Sequence, residues 1–146
     1  MAIKLTKGQT INLEKPSGGG SLTKITIGLG WKVKEKKKGF IASIFGGGDD
    51  DEFDLDAIAF LLNAEGKVVD QGDGLIGSDV VFYNNLRHPS GAVVHTGDDL
   101  TGGSGNADDE QIVVDLAGMP ARYESLLFIV NVYEGVKKGQ HFGEVS

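Results

Sequence analysis

The chain has 146 residues, 40% hydrophobic and 24% charged, which suits one domain with its own core and excludes a disordered chain. Its net charge of −7 excludes the basic face that a nucleic-acid-binding domain needs. With no cysteine it has no disulfide, no thiolate metal site and no cysteine nucleophile.

The first residues, MAIKLTKGQTI, lack the continuous apolar segment of a signal peptide. No apolar run is long enough to span a bilayer, so a cytoplasmic location is expected. Ile3-Lys4-Leu5 and Thr10-Ile11-Asn12-Leu13 read as a first pair of strands. Lys24 to Leu29 alternates, with Ile25, Ile27 and Leu29 on one face.

Residues 32–52, KVKEKKKGFIASIFGGGDDDE, break the pattern: a lysine cluster, an apolar knob (Phe40, Ile41, Ile44, Phe45), three glycines and an acidic run. One reading is a basic-apolar loop that touches a membrane surface or a partner. The other, the commoner use of a long loop, is a flexible insertion over 34–51 with solvated charges.

Phe53 to Leu62 is an apolar strand with a charged start. Asn63-Ala64-Glu65-Gly66 is a turn, and Lys67-Val68-Val69 returns from it as a hairpin. Val80 to Tyr83, Ala92 to His95, Gln111 to Val114 and Leu126 to Tyr133 complete the strands, and Met119 to Tyr123 hints at one helical turn. Glycine, 23 residues against 3 prolines, is roughly twice its usual share of about 7% and falls between the apolar stretches as turn punctuation. The expected fold is an all-β, antiparallel two-sheet β-sandwich with very little helix, residues 1–146 forming a single domain. Its expected core includes Ile25, Ile27, Phe60, Leu62, Val113, Phe128 and Val130.

The chemistry gathers in acids. Asp54 and Asp56, two apart on a strand, share a face about 6.5 to 7 Å apart. Asp98, Asp99, Asp108, Asp109 and Glu110 bracket a glycine-rich loop. Between Val68 and Tyr123 the only basic side chains besides histidine are Arg87 and Arg122, too few to neutralise seven acids. All-oxygen ligands select Ca²⁺ or Mg²⁺ over zinc or copper, and glycines let a loop turn its carbonyls towards an ion. An EF-hand loop counted from Asp99 does place Glu110 at position twelve. Its third, fifth and sixth positions, however, are Thr101, Gly103 and Ser104, and flanking helices are absent, so the EF-hand is rejected. A solvated acidic loop without a ligand is the plain alternative. His88, His95 and His141 are scattered, and neither a nucleophile elbow nor a phosphate-binding glycine-lysine motif occurs, so no enzymatic activity is expected.

Ile27-Gly28-Leu29-Gly30-Trp31, Phe53-Asp54-Leu55-Asp56-Ala57, Val81-Phe82-Tyr83-Asn84-Asn85, His95 to Gly102, Asp108 to Ile112 and Gly139-Gln140-His141-Phe142-Gly143 follow one another across nearly the whole chain. In these stretches, and in their order, the chain resembles the bacterial TerD family of tellurium-resistance and stress proteins. The resemblance implies a calcium-binding β-sandwich holding one or two Ca²⁺ ions, and a stress role tied to tellurite and other toxic insults. It also implies partnership with a TerC-like membrane protein or other Ter proteins, peripheral to the inner membrane rather than spanning it. The alternative is a small-ligand-binding or scaffold module whose loop end is stiffened by calcium. The implied ligands are Asp54, Asp56, Asn84 or Asn85, Asp98 with its neighbour Asp99, and acids among Asp108, Asp109 and Glu110. Four departures stand out: Glu52 in place of aspartate, Asp99 in place of asparagine, a glycine loop over 103–107 lacking one acid, and the long insertion. The family pattern also continues past Val145 into further strands and a helix.

Overall fold

The computed structural model describes residues 22–32, 53–97 and 108–145. The expected strands at 3–5 and 10–13 and the insertion at 34–51 lie outside these residues. Six strands are described: β1 (Lys24–Leu29), β2 (Leu55–Leu62), β3 (Val80–Val81), β4 (Val93–His95), β5 (Glu110–Asp115) and β6 (Ser125–Val132). A four-residue helix, α1 (Gly135–Lys138), and a 3-10 turn (Phe142–Glu144) follow. The strands form two three-stranded sheets, ordered β1-β5-β4 and β3-β2-β6, with every pairing antiparallel. The expected all-β sandwich is the observed architecture.

The two sheets meet through Ala57, Ala59 and Leu61 of β2, Val81, Val93, and Ile112 and Val114 of β5, with Tyr123 closing one side. A second apolar cluster, Trp31, Phe53 and Leu55, closes the end where β1 finishes and β2 begins. There the Trp31 indole N–H donates to the Phe53 carbonyl at 2.8 Å, which satisfies the one polar atom of a buried indole.

The expected core is corrected by these contacts. Along β2 the odd-numbered residues face inward, so Phe60 and Leu62 are only half-buried. Val113 is half-buried too, on the face opposite Ile112 and Val114. Val130 is 39% exposed on β6. Ile25, Ile27 and Phe128 do pack against the core, half-buried.

Two further expectations differ. Asn63 Oδ1 accepts the Glu65 and Lys67 amides, each at 3.0 Å, so the turn forms. Lys67 to Val69 is not a strand, because the Val69 and Asp70 amides donate to the Asp79 carboxylate at 3.2 and 2.9 Å instead of to a ladder. Met119 to Tyr123 holds a turn, Tyr123 N–H to Pro120 carbonyl at 3.1 Å, and the described helix lies further on at Gly135–Lys138.

Candidate metal centre

Antiparallel pairing brings the acidic segments to one end of the sandwich. β1 and β5 pair with Leu29 opposite Glu110, so the end of β1 lies beside Asp108 and Asp109. The Trp31 amide donates to Asp109 Oδ2 at 3.1 Å. The Asp108 carboxylate lies against the β1 backbone, where a Cβ on Gly28 would come within 1.8 Å of it. Glycine at position 28 leaves that space open, and a side chain there would displace the Asp108 carboxylate. β4 ends at the same place: the Thr96 amide donates to the Gln111 carbonyl at 2.9 Å. Asp98 and Asp99, which follow, lie outside the described residues.

β2 starts at this end as well. Asp54 and Asp56 are 8% and 2% exposed, and the Asp54 carbonyl accepts the Tyr133 amide at 2.8 Å. Asp56 shares its face with Ile58 and Phe60, as the alternation predicts. That face is the outer one: Asp56, Ile58, Phe60, Phe82, Tyr83 and Tyr133 line an open groove of about 420 Å³. Glu110 is on the other side of the question. It is fully buried, on the inward face of β5 with Ile112 and Val114, and its Oε2 accepts the Ala57 amide at 2.8 Å.

Asn84 and Asn85 sit in the turn after β3, where Phe82 and Asn85 exchange backbone hydrogen bonds at 3.2 and 2.9 Å. Asn84 is exposed. Asn85 is buried and its amide braces the turn: Nδ2 donates to the Val80 carbonyl at 2.6 Å and Oδ1 accepts the Gly77 amide at 3.1 Å. Among the described residues no three histidine, aspartate or glutamate side chains come together as a metal-ligand set. The available donors are carboxylate, amide and carbonyl oxygens in a chain without cysteine, a set that fits a hard cation such as calcium.

A second polar cluster lies away from this end. Asp79 and His88 are each 1% exposed, and His88 Nε2 stands 3.2 Å from Asp79 Oδ1. The Tyr123 hydroxyl donates to the same oxygen, and Arg122 donates to that hydroxyl. On the other ring nitrogen, the Ser90 hydroxyl lies 2.7 Å from Nδ1. Serine, histidine and aspartate thus stand in line, the order of a catalytic relay. The surroundings make it a turn lock. The Ser90 amide donates to Nδ1 at 3.1 Å, and the Ala92 amide donates to Ser90 Oγ at 3.2 Å. These two amides brace the turn over residues 88–92. Burial raises the Asp79 pKa, but the donors around it outweigh burial and hold the carboxyl below its ordinary value. The Tyr123 hydroxyl is pushed up, by burial first and then by Asp79. Sequence reading missed this cluster because its members are 44 positions apart at the extremes and only the fold joins them.

The TerD domain family model matches residues 1–146. Tellurium resistance protein TerX of Serratia marcescens is 48% identical over 152 residues, a match covering all of this chain and 70% of that protein. Stress response protein SCP2 of Bacillus subtilis is 40% identical over 146 residues, covering all of this chain and 68% of its own length. Against General stress protein 16U of the same organism, 38% identical, the chain spans 65% of the relative's length. Among solved structures, a homologue of the telluride resistance protein TerD from Streptomyces coelicolor superposes with a TM-score of 0.56 at 19% identity, over 86% of this chain and 62% of that one, a likeness of fold.

Proposed function

The chain belongs to the TerD family, and from that premise we propose that it is a calcium-binding stress protein of the tellurium-resistance kind, with no catalytic chemistry of its own. The observation that carries the reading is the burial of two same-face carboxylates, Asp54 and Asp56, at the end of the sandwich where Asp108 and Asp109 also lie. Four carboxylates gathered at one end of the sandwich, two of them buried, offer the hard oxygen ligands that a divalent cation such as calcium takes. Asp54, Asp56 and Asp98 would hold one ion, and Asp99, Asp108 and Asp109 would share it or hold a second. Calcium, bound there, would supply neutralising charge. The protein's part is to fix the carboxylates: Gly28 lets Asp108 lie flat on β1, and the Trp31 amide aims Asp109. The names of the relatives support the biological setting, resistance to tellurium compounds and general stress. Work beside other Ter proteins, a TerC-like membrane partner included, and a cytoplasmic site of action belong to the same proposal. No helix among the described residues is long and apolar enough to cross a membrane.

The test is calorimetric titration of calcium into chelator-stripped protein. Uptake of one or two ions is expected, weakened about tenfold or more in Asp56→Asn, which removes charge and keeps shape. Absence of uptake at millimolar calcium would leave the acids as a solvated surface. The groove beside Asp56 favours a second reading, a small-ligand module stiffened by calcium, since its volume is in the range of ligand pockets. Screening small ligands against the calcium-loaded protein separates the two.

A further inference from the structure

Glu110 is the most deeply buried of the acids, and its surroundings differ from those of the rest. Period-2 geometry points it inward from β5, with Ile112 and Val114, while Asp56 points to the outer face of β2. Its Oε2 reaches across the space between the sheets to the Ala57 amide, at 2.8 Å. β3 is two residues long and pairs only with Ala59 and Phe60, so no described strand meets the start of β2 on that flank. A buried amide needs an acceptor, and among the described residues the Glu110 carboxylate supplies it where the β3 ladder does not reach. The same Oε2 lies 3.3 Å from His95 Nε2, a close polar approach of two fully buried side chains that falls short of hydrogen-bond geometry, while the Gly97 amide donates to His95 Nδ1 at 3.1 Å. His95 is the last residue of β4 and Glu110 the first of β5. In register His95 stands opposite Ile112, with Glu110 two residues further along the same inward face, so the two side chains meet diagonally beside the stems from which Asp98 and Asp99 follow and Asp108 and Asp109 return.

We propose that Glu110 is a positioning residue and not a calcium ligand: with His95 it forms a buried clasp that closes the stem of the acidic loop and ties it, through the Ala57 amide, to the strand bearing Asp56. The clasp itself stands on the contacts above; only its effect on ion affinity rests on the calcium reading. It also links the two sheets at the one end where β3 does not reach.

The test compares Glu110→Gln, Glu110→Ala and Val114→Ala, the last a core variant that lowers stability without touching the clasp. Amide hydrogen exchange at Ala57 is followed in stripped protein, and calcium affinity by calorimetry. Glutamine keeps an acceptor for the Ala57 amide, so Glu110→Gln should bind the wild-type number of calcium ions with Kd within about threefold. Glu110→Ala should speed exchange at Ala57 at least tenfold and weaken calcium binding about tenfold through loss of a closed stem. Val114→Ala should leave Kd unchanged. Loss of a bound ion in Glu110→Gln would make Glu110 a ligand and overturn the proposal. Equal Kd shifts in Glu110→Ala and Val114→Ala would reduce it to general stability. Unchanged exchange at Ala57 in Glu110→Ala would remove the clasp. If wild-type protein takes up no calcium, the calcium reading fails by itself, and the exchange comparison still decides whether the clasp exists.

Discussion

Asp79 serves four donors at once: the Val69 and Asp70 amides at one oxygen, His88 and the Tyr123 hydroxyl at the other. Those donors hold its folded pKa below the unfolded value of about 3.9, despite burial. A carboxyl depressed in this way adds stability that is fully present above the unfolded pKa and is lost as pH falls through the folded one. Urea titrations carried from neutral pH into acid should therefore show unfolding free energy falling below about pH 4, with a shallower fall in Asp79→Asn. That substitution also turns an acceptor into an amide donor facing donors, and it should cost about 1–3 kcal/mol at neutral pH. Tyr123→Phe, which deletes one hydroxyl from the same oxygen, should cost about 1 kcal/mol. A wild-type acid limb identical to that of Asp79→Asn would show that other carboxyls carry the acid sensitivity.

Between residue and molecule stand the turns and strands. Gly66 and Gly72 both have positive φ, +71° and +57°, yet only Gly72 is also crowded: a Cβ there would meet the Ile76 carbonyl oxygen at 2.0 Å. Gly66→Ala should lose about 1 kcal/mol, the cost of the left-handed conformation alone, and Gly72→Ala should lose clearly more because the backbone of the 70–77 loop must shift. Thermal melts of the pair check this, and equal losses would mean that the loop yields freely. The strands themselves were legible, since β1, β5 and β6 lie within a residue or two of where alternation put them. Their faces were less so. β2 is apolar on both sides, Leu55, Ala57, Ala59 and Leu61 against Ile58, Phe60 and Leu62, so alternation carries no direction. Bulk then misleads: the small Ala57 and Ala59 are inside because they let the sheets approach, and the larger Phe60 is left in the groove. Glu110 shows the converse. Its inward parity with Ile112 and Val114 was in the sequence, but an acid beside two aspartates reads as one of a cluster until its partner, the Ala57 amide, is seen. Asn85 enters the candidate ligands, as an alternative to Asn84, through the family resemblance alone; that its amide also braces the turn between Gly77 and Val80 is visible only in the fold.

At the scale of the whole molecule, the acids and the sandwich are one thermodynamic unit. Asp56 lies on β2 and Asp54 just before it, in the sheet β3-β2-β6, while Asp108 and Asp109 adjoin β5 and β1 of the other sheet. If calcium binds at this end as proposed, it would bind the folded chain far better than the unfolded one, which scatters its carboxylates. Binding of that kind is folding stability: at calcium a hundredfold above its Kd, one site should add about 2.7 kcal/mol. For a domain of this size, that corresponds to a rise in Tm of roughly 9 °C. Magnesium should give less, because it demands tight octahedral geometry and sheds its water reluctantly. Acid should abolish the increment, since protonated carboxyls are poor ligands, and the calcium-dependent part of Tm should vanish at a higher pH than the fold itself is lost. Added salt without calcium should screen the exposed repulsions and recover only a fraction of the effect, because pairs inside the protein are screened much less than those on its surface. Melting curves of stripped protein with calcium, with magnesium and with matched sodium chloride read all of these together. A Tm that moves equally in the three would mean that screening, not a bound ion, relieves this end of the sandwich.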